Sequence, residues 1–274
     1  MIVRGAEKGG TAALDRAALE RLYRKYNNAR FVSSDPLEFV YRYENRRDRE
    51  VAGLIASSLA FGAVKQIRAS IARVLASLGE TPADCLRDVR PPLLAHALRG
   101  FKHRWITGAD MASMLDGVRA ALRGYGSLRE LFYANLEASD SDVVPAAARF
   151  AGYIRSRGGG FRSSLLPSTA AGSACKRLNL FLRWMVRSDA VDPGGWNEVP
   201  PAKLVVPLDT HMHSISRKLA LTRRRSADLR AAREITDGFR TVSPEDPVKY
   251  DFALTRLGIL KDVSAEVILA GIHC

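Results

Sequence analysis

The stretch VVPLDTHMHSISRKLAL, residues 205–221, sets an aspartate and two histidines directly after a short apolar run. Asp209, His211 and His213 have the residue types of a metal site. Asp209 also has the place of a helix cap, or of a carboxylate held at a helix start to do chemistry. Pro207 biases Val206 toward an extended backbone. Apolar residues then recur at Met212, Ile215 and Leu219, which is helical spacing. The pattern predicts a helix from about residue 210, with Asp209 at its N-cap accepting from first-turn N–H groups. On such a helix His211 and His213 point about 200° apart and share a face only on a strand. His96, His103 and His273 add no H-x-x-x-H spacing. No metal is expected, and a metal-dependent hydrolase built on Asp209, His211 and His213 is kept as the weaker alternative.

A second candidate is Lys176 in LLPSTAAGSACKRLNLFLRWMVR, residues 165–187. Small residues from Ser168 to Ala174, Gly172 among them, let backbone N–H groups approach a ligand closely. Lys176 then stands at or just inside a helix start. The positive end of a helix disfavours an ammonium there, and a neutral amine is a nucleophile. The plainer reading is a lysine that reaches solvent or a phosphate. Lys176 and Asp209 each stand at a helix start. If the two helices bring those starts to one cleft, an amine and a carboxylate meet. That pair suits attack at a sugar carbon: the amine as nucleophile, the carboxylate taking its proton or steadying an oxocarbenium charge.

The elements that must position these groups read as helices. AALDRAALERLYRKY, residues 12–26, places Leu14, Ala18, Leu22 and Tyr26 on one stripe. DPLEFVYRYEN starts with Asp35 as a cap and Pro36 in the first turn. Residues 48–79 read as two helices broken near Phe61-Gly62, the second ending at Gly79. PPLLAHALRGF and ADMASMLDGVRAALRGYGSLRELFYANL supply three or more helices, with a break at Gly124–Gly126. VVPAAARFAGYIRSRGGG is another, followed by a loop and CKRLNLFLRWMVRS. DAVDPGGWNEVPPAK reads as a Pro/Gly-rich connector. Further helices are expected at 210–220, at 226–240 and around VKYDFALTRLG, with Asp246-Pro247 near the start and Gly258 as the stop. Only KLVVPL looks extended. The fold class is therefore all-α, about ten helices or more. No linker is long enough to part independent domains. The chain 1–274 is expected to be a single compact unit, with approximate lobes 50–187 and 1–49 plus 188–274.

The 274 residues suffice for a sizeable core, and 47% are apolar. No apolar run reaches the roughly 18–20 residues of a membrane span. The first residues, MIVRGAEKGG, show no apolar signal region, so a cytoplasmic protein is expected. Cys85, Cys175 and Cys274 are odd in number and scattered, which argues against disulfides and against a cysteine-held metal. The 42 Lys+Arg against 29 Asp+Glu give a formal net charge of +13. That field favours a polyanion such as nucleic acid or anionic lipid, although a GC-rich genome also inflates arginine.

VVPLDTHMHSISRKL resembles the segment after the hairpin in the helix-hairpin-helix (HhH-GPD) DNA glycosylases, particularly the 8-oxoguanine branch. There an apolar–Pro–apolar run precedes a catalytic aspartate, with a histidine two positions on. Asp209 falls on that aspartate and His211 on a DNA-backbone contact. KRLNLFLRWM is similar to the helix that opens with the Schiff-base lysine of the bifunctional members. Lys176 falls on that lysine, and Asn179 matches one family variant. Residues 49–75 look like the early helix pair, where Gln66 would approach the strand opposite the lesion. GFKHRWITGADMASMLDGV resembles the Gly-aromatic-basic segment two helices before the hairpin. DPVKYDFALTRLG sits where the last helices close the base pocket, which would place Tyr250 and Asp251 near it. The resemblance runs in order from about residue 50 to 260. The whole also looks like an uncharacterised bacterial family related to these enzymes. Two features depart from the pattern. LPSTAAGSACK is longer than L-P-G-V-G-x-K and lacks both glycines in place, and SDAVDPGGWNEVPPAK lengthens the path from Lys176 to Asp209. No four-cysteine motif follows, so no cluster or other cofactor is implied.

The resemblance implies a two-lobed helical fold and a base-excision glycosylase, with AP-lyase chemistry open. The target nucleotide would be flipped from damaged duplex DNA. Gly172, Ser173, Arg177, His211 and Gln66 would hold the DNA, and the RRDR (46–49) and TRRRS (222–226) runs fit the same partner. A monomer associated with the nucleoid is expected. The alternative is a non-catalytic DNA-binding protein on the same scaffold.

Overall fold

The computed structural model describes residues 14–162, 164–167 and 172–260, with Ser34 and residues 257–260 described by backbone alone. It is mostly helical. In chain order the α-helices are α1 (Arg16–Tyr26), α2 (Arg46–Ser58), α3 (Val64–Ala76), α4 (Pro82–Asp88), α5 (Pro91–Ala97) and α6 (Gly108–Tyr125). There follow α7 (Leu128–Tyr133), α8 (Val144–Arg157), α9 (Lys176–Val186), α10 (Thr210–Lys218), α11 (Leu229–Arg240) and α12 (Asp251–Leu260). Short 3-10 helices cover Ala29–Ser34, Pro36–Arg42 and Pro201–Lys203. No described helix is long and apolar enough to cross a membrane.

The centre is α2. Val51, Ala52, Leu54, Ile55 and Ala56 are all buried, so this helix is apolar around most of its girth. It packs against the Pro36–Arg42 turn, α3, α4, α7 and α9. A Cβ at Gly53 would lie 3.1 Å from the Met185 side chain, so the glycine lets α2 and α9 approach closely. The first two turns of α2 also hold two buried carboxylates. Asp48 accepts from Ala83 N at 2.8 Å and so caps α4, whose own Thr81 makes no side-chain cap. Glu50 accepts from Leu128 N and Trp196 Nε1, joining α7 and the connector to α2. Burial pushes both carboxyls above their ordinary range, and the N–H donors oppose it.

Several elements differ from the sequence reading. Residues 36–42 wind as a 3-10 helix rather than an α-helix, still capped by Asp35 on Leu37 N at 3.0 Å. α4 has no counterpart in the reading, because its stripe is only one turn long. KLVVPL is extended but forms no strand: Val206 N donates to Thr236 Oγ1 of α11 at 3.0 Å. The strands instead lie in a segment read without any, Lys102–His103 (β1) paired antiparallel with Ile106–Thr107 (β2). Gly258 does not stop α12, which runs on to Leu260. DAVDPGGWNEVPPAK is no exposed linker, since Val191, Trp196 and Val199 are buried in the core. One contiguous apolar core runs from Leu14 to Leu254. Residues 168–171 of the expected phosphate-contacting loop, and His273 and Cys274, lie outside the described residues.

Candidate active site

Lys176 is the first residue of α9 and Asp209 is the N-cap of α10. Their charged groups lie 3.9 Å apart, Nζ to Oδ2, and each side chain is 29% exposed. Two helix starts distant in sequence therefore meet at a half-open position. Asp209 divides its two oxygens. Oδ1 accepts from Met212 N at 2.8 Å and closes the first turn of α10, while Oδ2 faces Lys176. The cap holds the carboxylate in one orientation.

The local sequence explains the placement. Leu204, Val205, Val206 and Leu208 are buried, and so is Met212 on the far side of the aspartate. This apolar run seats the chain in the core up to the edge where Asp209 emerges. On the lysine side, Cys175 takes a left-handed backbone, φ 46°, as the chain turns into α9. A non-glycine residue in that region is strained and persists only where its surroundings over-determine it. They do so here. Cys175 N donates to Ser173 Oγ at 3.2 Å, and Asn179 Nδ2 donates to Ala174 O at 2.9 Å. Leu229 N donates to Gly172 O at 3.0 Å, and Ser173 bridges to Asp228. The TRRRS run, which leads into α11, is thereby brought beside the start of α9.

The other expected DNA contacts divide. Gly172 and Ser173 are exposed on this loop, His211 is exposed on the first turn of α10, and Gln66 is exposed on the first turn of α3. Arg177 departs from the expectation. Its Nη1 donates to Ser58 O at 2.9 Å and its guanidinium lies 4.7 Å from the Phe61 ring centre. Burial pushes its pKa down to about 10. It is a packing residue that ties α9 to the α2–α3 turn. His213 turns away, with Nε2 against Arg224 O at 3.1 Å. Asp209, His211 and His213 form no metal cluster, and no group of three His, Cys, Asp or Glu suited to a metal occurs among the described residues.

Tyr250 and Asp251 do not line an open pocket. Tyr250 is buried and donates to Glu20 Oε1 at 2.7 Å. Asp251 is buried against the Arg183 guanidinium. Burial pushes its pKa up to about 6; Arg183 opposes this and the charge of Asp209 adds to it. Asp251 belongs to a network the sequence reading missed. Arg183 of α9 and Arg187, its C-cap, both pair with the fully buried Asp192, and Arg187 also meets Asp189 and Asp246. The signal was present: two arginines four residues apart in the otherwise apolar stretch LFLRWMVR, followed within five residues by two aspartates.

The site is thus a lysine–carboxylate pair at two helix starts of an all-helical protein, backed by a buried ion network. A family model described as "Protein of unknown function (DUF2400)" matches residues 35–260, and the chain belongs to that family. No curated protein and no solved structure matches it.

Proposed function

We propose that this protein is a nucleic-acid base-excision enzyme in which Lys176 attacks the sugar C1′ of a damaged nucleotide and Asp209 assists. The observation that carries the reading is the Lys176–Asp209 pair: amine and carboxylate 3.9 Å apart, both half-exposed, both fixed at helix starts. The resemblance of VVPLDTH and KRLNLF to the helix-hairpin-helix glycosylases supports it, as does the net charge of +13.

The chemistry balances with these two groups. Asp209 takes a proton from the Lys176 ammonium. The freed lone pair forms a bond to C1′ as the glycosidic bond breaks. That bonding pair leaves with the base, which is protonated from solvent. The sugar ring opens at C1′–O4′, a proton passes from the lysine nitrogen to O4′, and an imine joins Lys176 to the sugar. Asp209, its first proton released to solvent, takes a C2′ proton as the C3′–O bond breaks and that electron pair leaves with the 3′ phosphate, and water hydrolyses the imine to return the lysine. The carboxylate also steadies positive charge developing at C1′.

Borohydride reduces such an imine to a stable amine. Duplex oligonucleotides carrying 8-oxoguanine or an abasic site are expected to yield a reduced protein–DNA adduct. No adduct with any oxidised base or abasic site would end the lyase half of the reading. Salt-sensitive binding without base release would select a non-catalytic DNA-binding protein instead.

A further inference from the structure

The exposed Trp105 and the half-buried Phe61 form an aromatic pair that the reaction above does not use. The tip of the β1–β2 hairpin is Arg104-Trp105, and Arg104 has a left-handed backbone, φ 53°. A positive φ at the first central residue of a two-residue hairpin turn is a glycine position, so an arginine there stores strain. The turn holds Trp105 outward, 48% exposed. The Trp105 ring lies 5.1 Å from that of Phe61 at 30°, and the Arg104 guanidinium lies 5.1 Å from the indole.

The pair is fixed from three sides. Trp105 Nε1 donates to Ser164 Oγ at 3.0 Å. Burial pushes the His103 pKa down; the ring bridges Ser70 Oγ at 2.9 Å and the Phe61 carbonyl at 3.1 Å. Arg177 holds the Phe61 ring and the Ser58 carbonyl together. Arg177 follows Lys176 in α9, so the residue that holds Phe61 adjoins the candidate nucleophile in the chain. An indole left in water but locked in orientation, with arginine beside it, has the chemistry of a stacking surface for a base.

We infer that Trp105, backed by Phe61, is a stacking platform for one unpaired nucleobase. Arg104, itself exposed, meets the adjoining phosphate. The inference rests on the nucleic-acid reading above and sharpens its substrate class: a strand that is single or looped out at the site, rather than a fully paired duplex. Stacking accepts any base, so the platform selects for unpaired structure and not for sequence.

The protein carries three tryptophans, and Trp184 and Trp196 are fully buried. Quenching of intrinsic fluorescence by added oligonucleotide therefore reports on Trp105. Three probes of equal length are titrated: oligothymidylate, a base-free chain of tetrahydrofuran abasic units, and a paired duplex. Oligothymidylate is expected to quench and the base-free chain is not. Trp105→Ala is expected to weaken oligothymidylate binding about tenfold or more, while Trp105→Phe keeps most of the affinity and loses the quench. Equal affinity for Trp105→Ala overturns the inference. Equal quenching by the base-free chain also overturns it, pointing to bare phosphate or an acidic protein surface. Borohydride trapping is scored separately. Trapping without quenching leaves the lysine reading standing and removes the platform, whereas quenching without trapping does the reverse.

Discussion

α9 carries two sets of opposite charges that behave differently. At its start, Lys176 meets Asp209 at 3.9 Å with both side chains 29% exposed. Toward its other end, Arg183 and the C-cap residue Arg187 meet Asp192 with 3%, 4% and 0% exposed. The inner set adds Asp251, Asp189 and Asp246 from outside the helix. An exposed ion pair contributes only about 0–1 kcal/mol, so stability gives little reason to place one at the junction of two helix starts. Buried charges are costly unless every one is paired, and the inner set is paired while closed to substrate. One end of α9 is built for access and the other for holding the fold.

Substitutions can break that contrast. Lys176→Gln is expected to abolish borohydride trapping and to lower any base-release rate on the order of 10³-fold or more. Its urea midpoint should stay within the small range of an exposed pair. Normal cutting by this variant would remove the residue assignment. Asp192→Ala does the opposite. It leaves two buried guanidiniums short of a partner and is expected to cost about 3–5 kcal/mol in chemical denaturation. A near-neutral result would show that the inner network is not structural.

A finer separation lies within Asp209. Asparagine caps a helix about as well as aspartate, so Asp209→Asn should leave stability nearly unchanged while slowing base release about 10²–10⁴-fold. Asp209→Ala should lose both, with about 1 kcal/mol of stability. Equal rates for wild type and Asp209→Asn would leave the residue a cap alone.

The smallest effect is a pH dependence. The Asp251 carboxyl is raised to about 6, above its unfolded value, so the folded protein holds that proton more tightly. Its contribution is full below the unfolded pKa, about 4, and is lost as pH rises through about 6. Denaturation midpoints of wild type and Asp251→Asn, compared from pH 4 to 7, should differ least favourably for wild type at the top of that window. A difference that is flat with pH would refute the raised carboxyl.

Periodicity and caps made much of the frame legible. Asp35, Gly62 and Gly126 mark boundaries where they were read, and α1, α8, α10 and α11 fall within their predicted stretches. Local chemistry also placed Asp209 at a cap and Lys176 at a helix start. Arg177, Tyr250 and Asp251 were read as DNA or base-pocket residues from local sequence, whereas long polar side chains choose partners from distant segments. Arg177 found Ser58 and Phe61, Tyr250 found Glu20, and Asp251 found Arg183. Trp105 escaped notice because a two-residue strand carries no alternation to read.

The sequence by itself determined that this chain is helical, where most helices begin, and which residue types could do chemistry at two of those beginnings. These depend on contacts within one or two turns, which the order of residues specifies. Only the tertiary structure decided that Lys176 and Asp209 are neighbours, that the Pro/Gly-rich segment between them is core, and that its aspartates neutralise two arginines. Those facts depend on how α2, α9, α10 and α12 pack, and packing is set by the shape of a shared core that no local stretch contains.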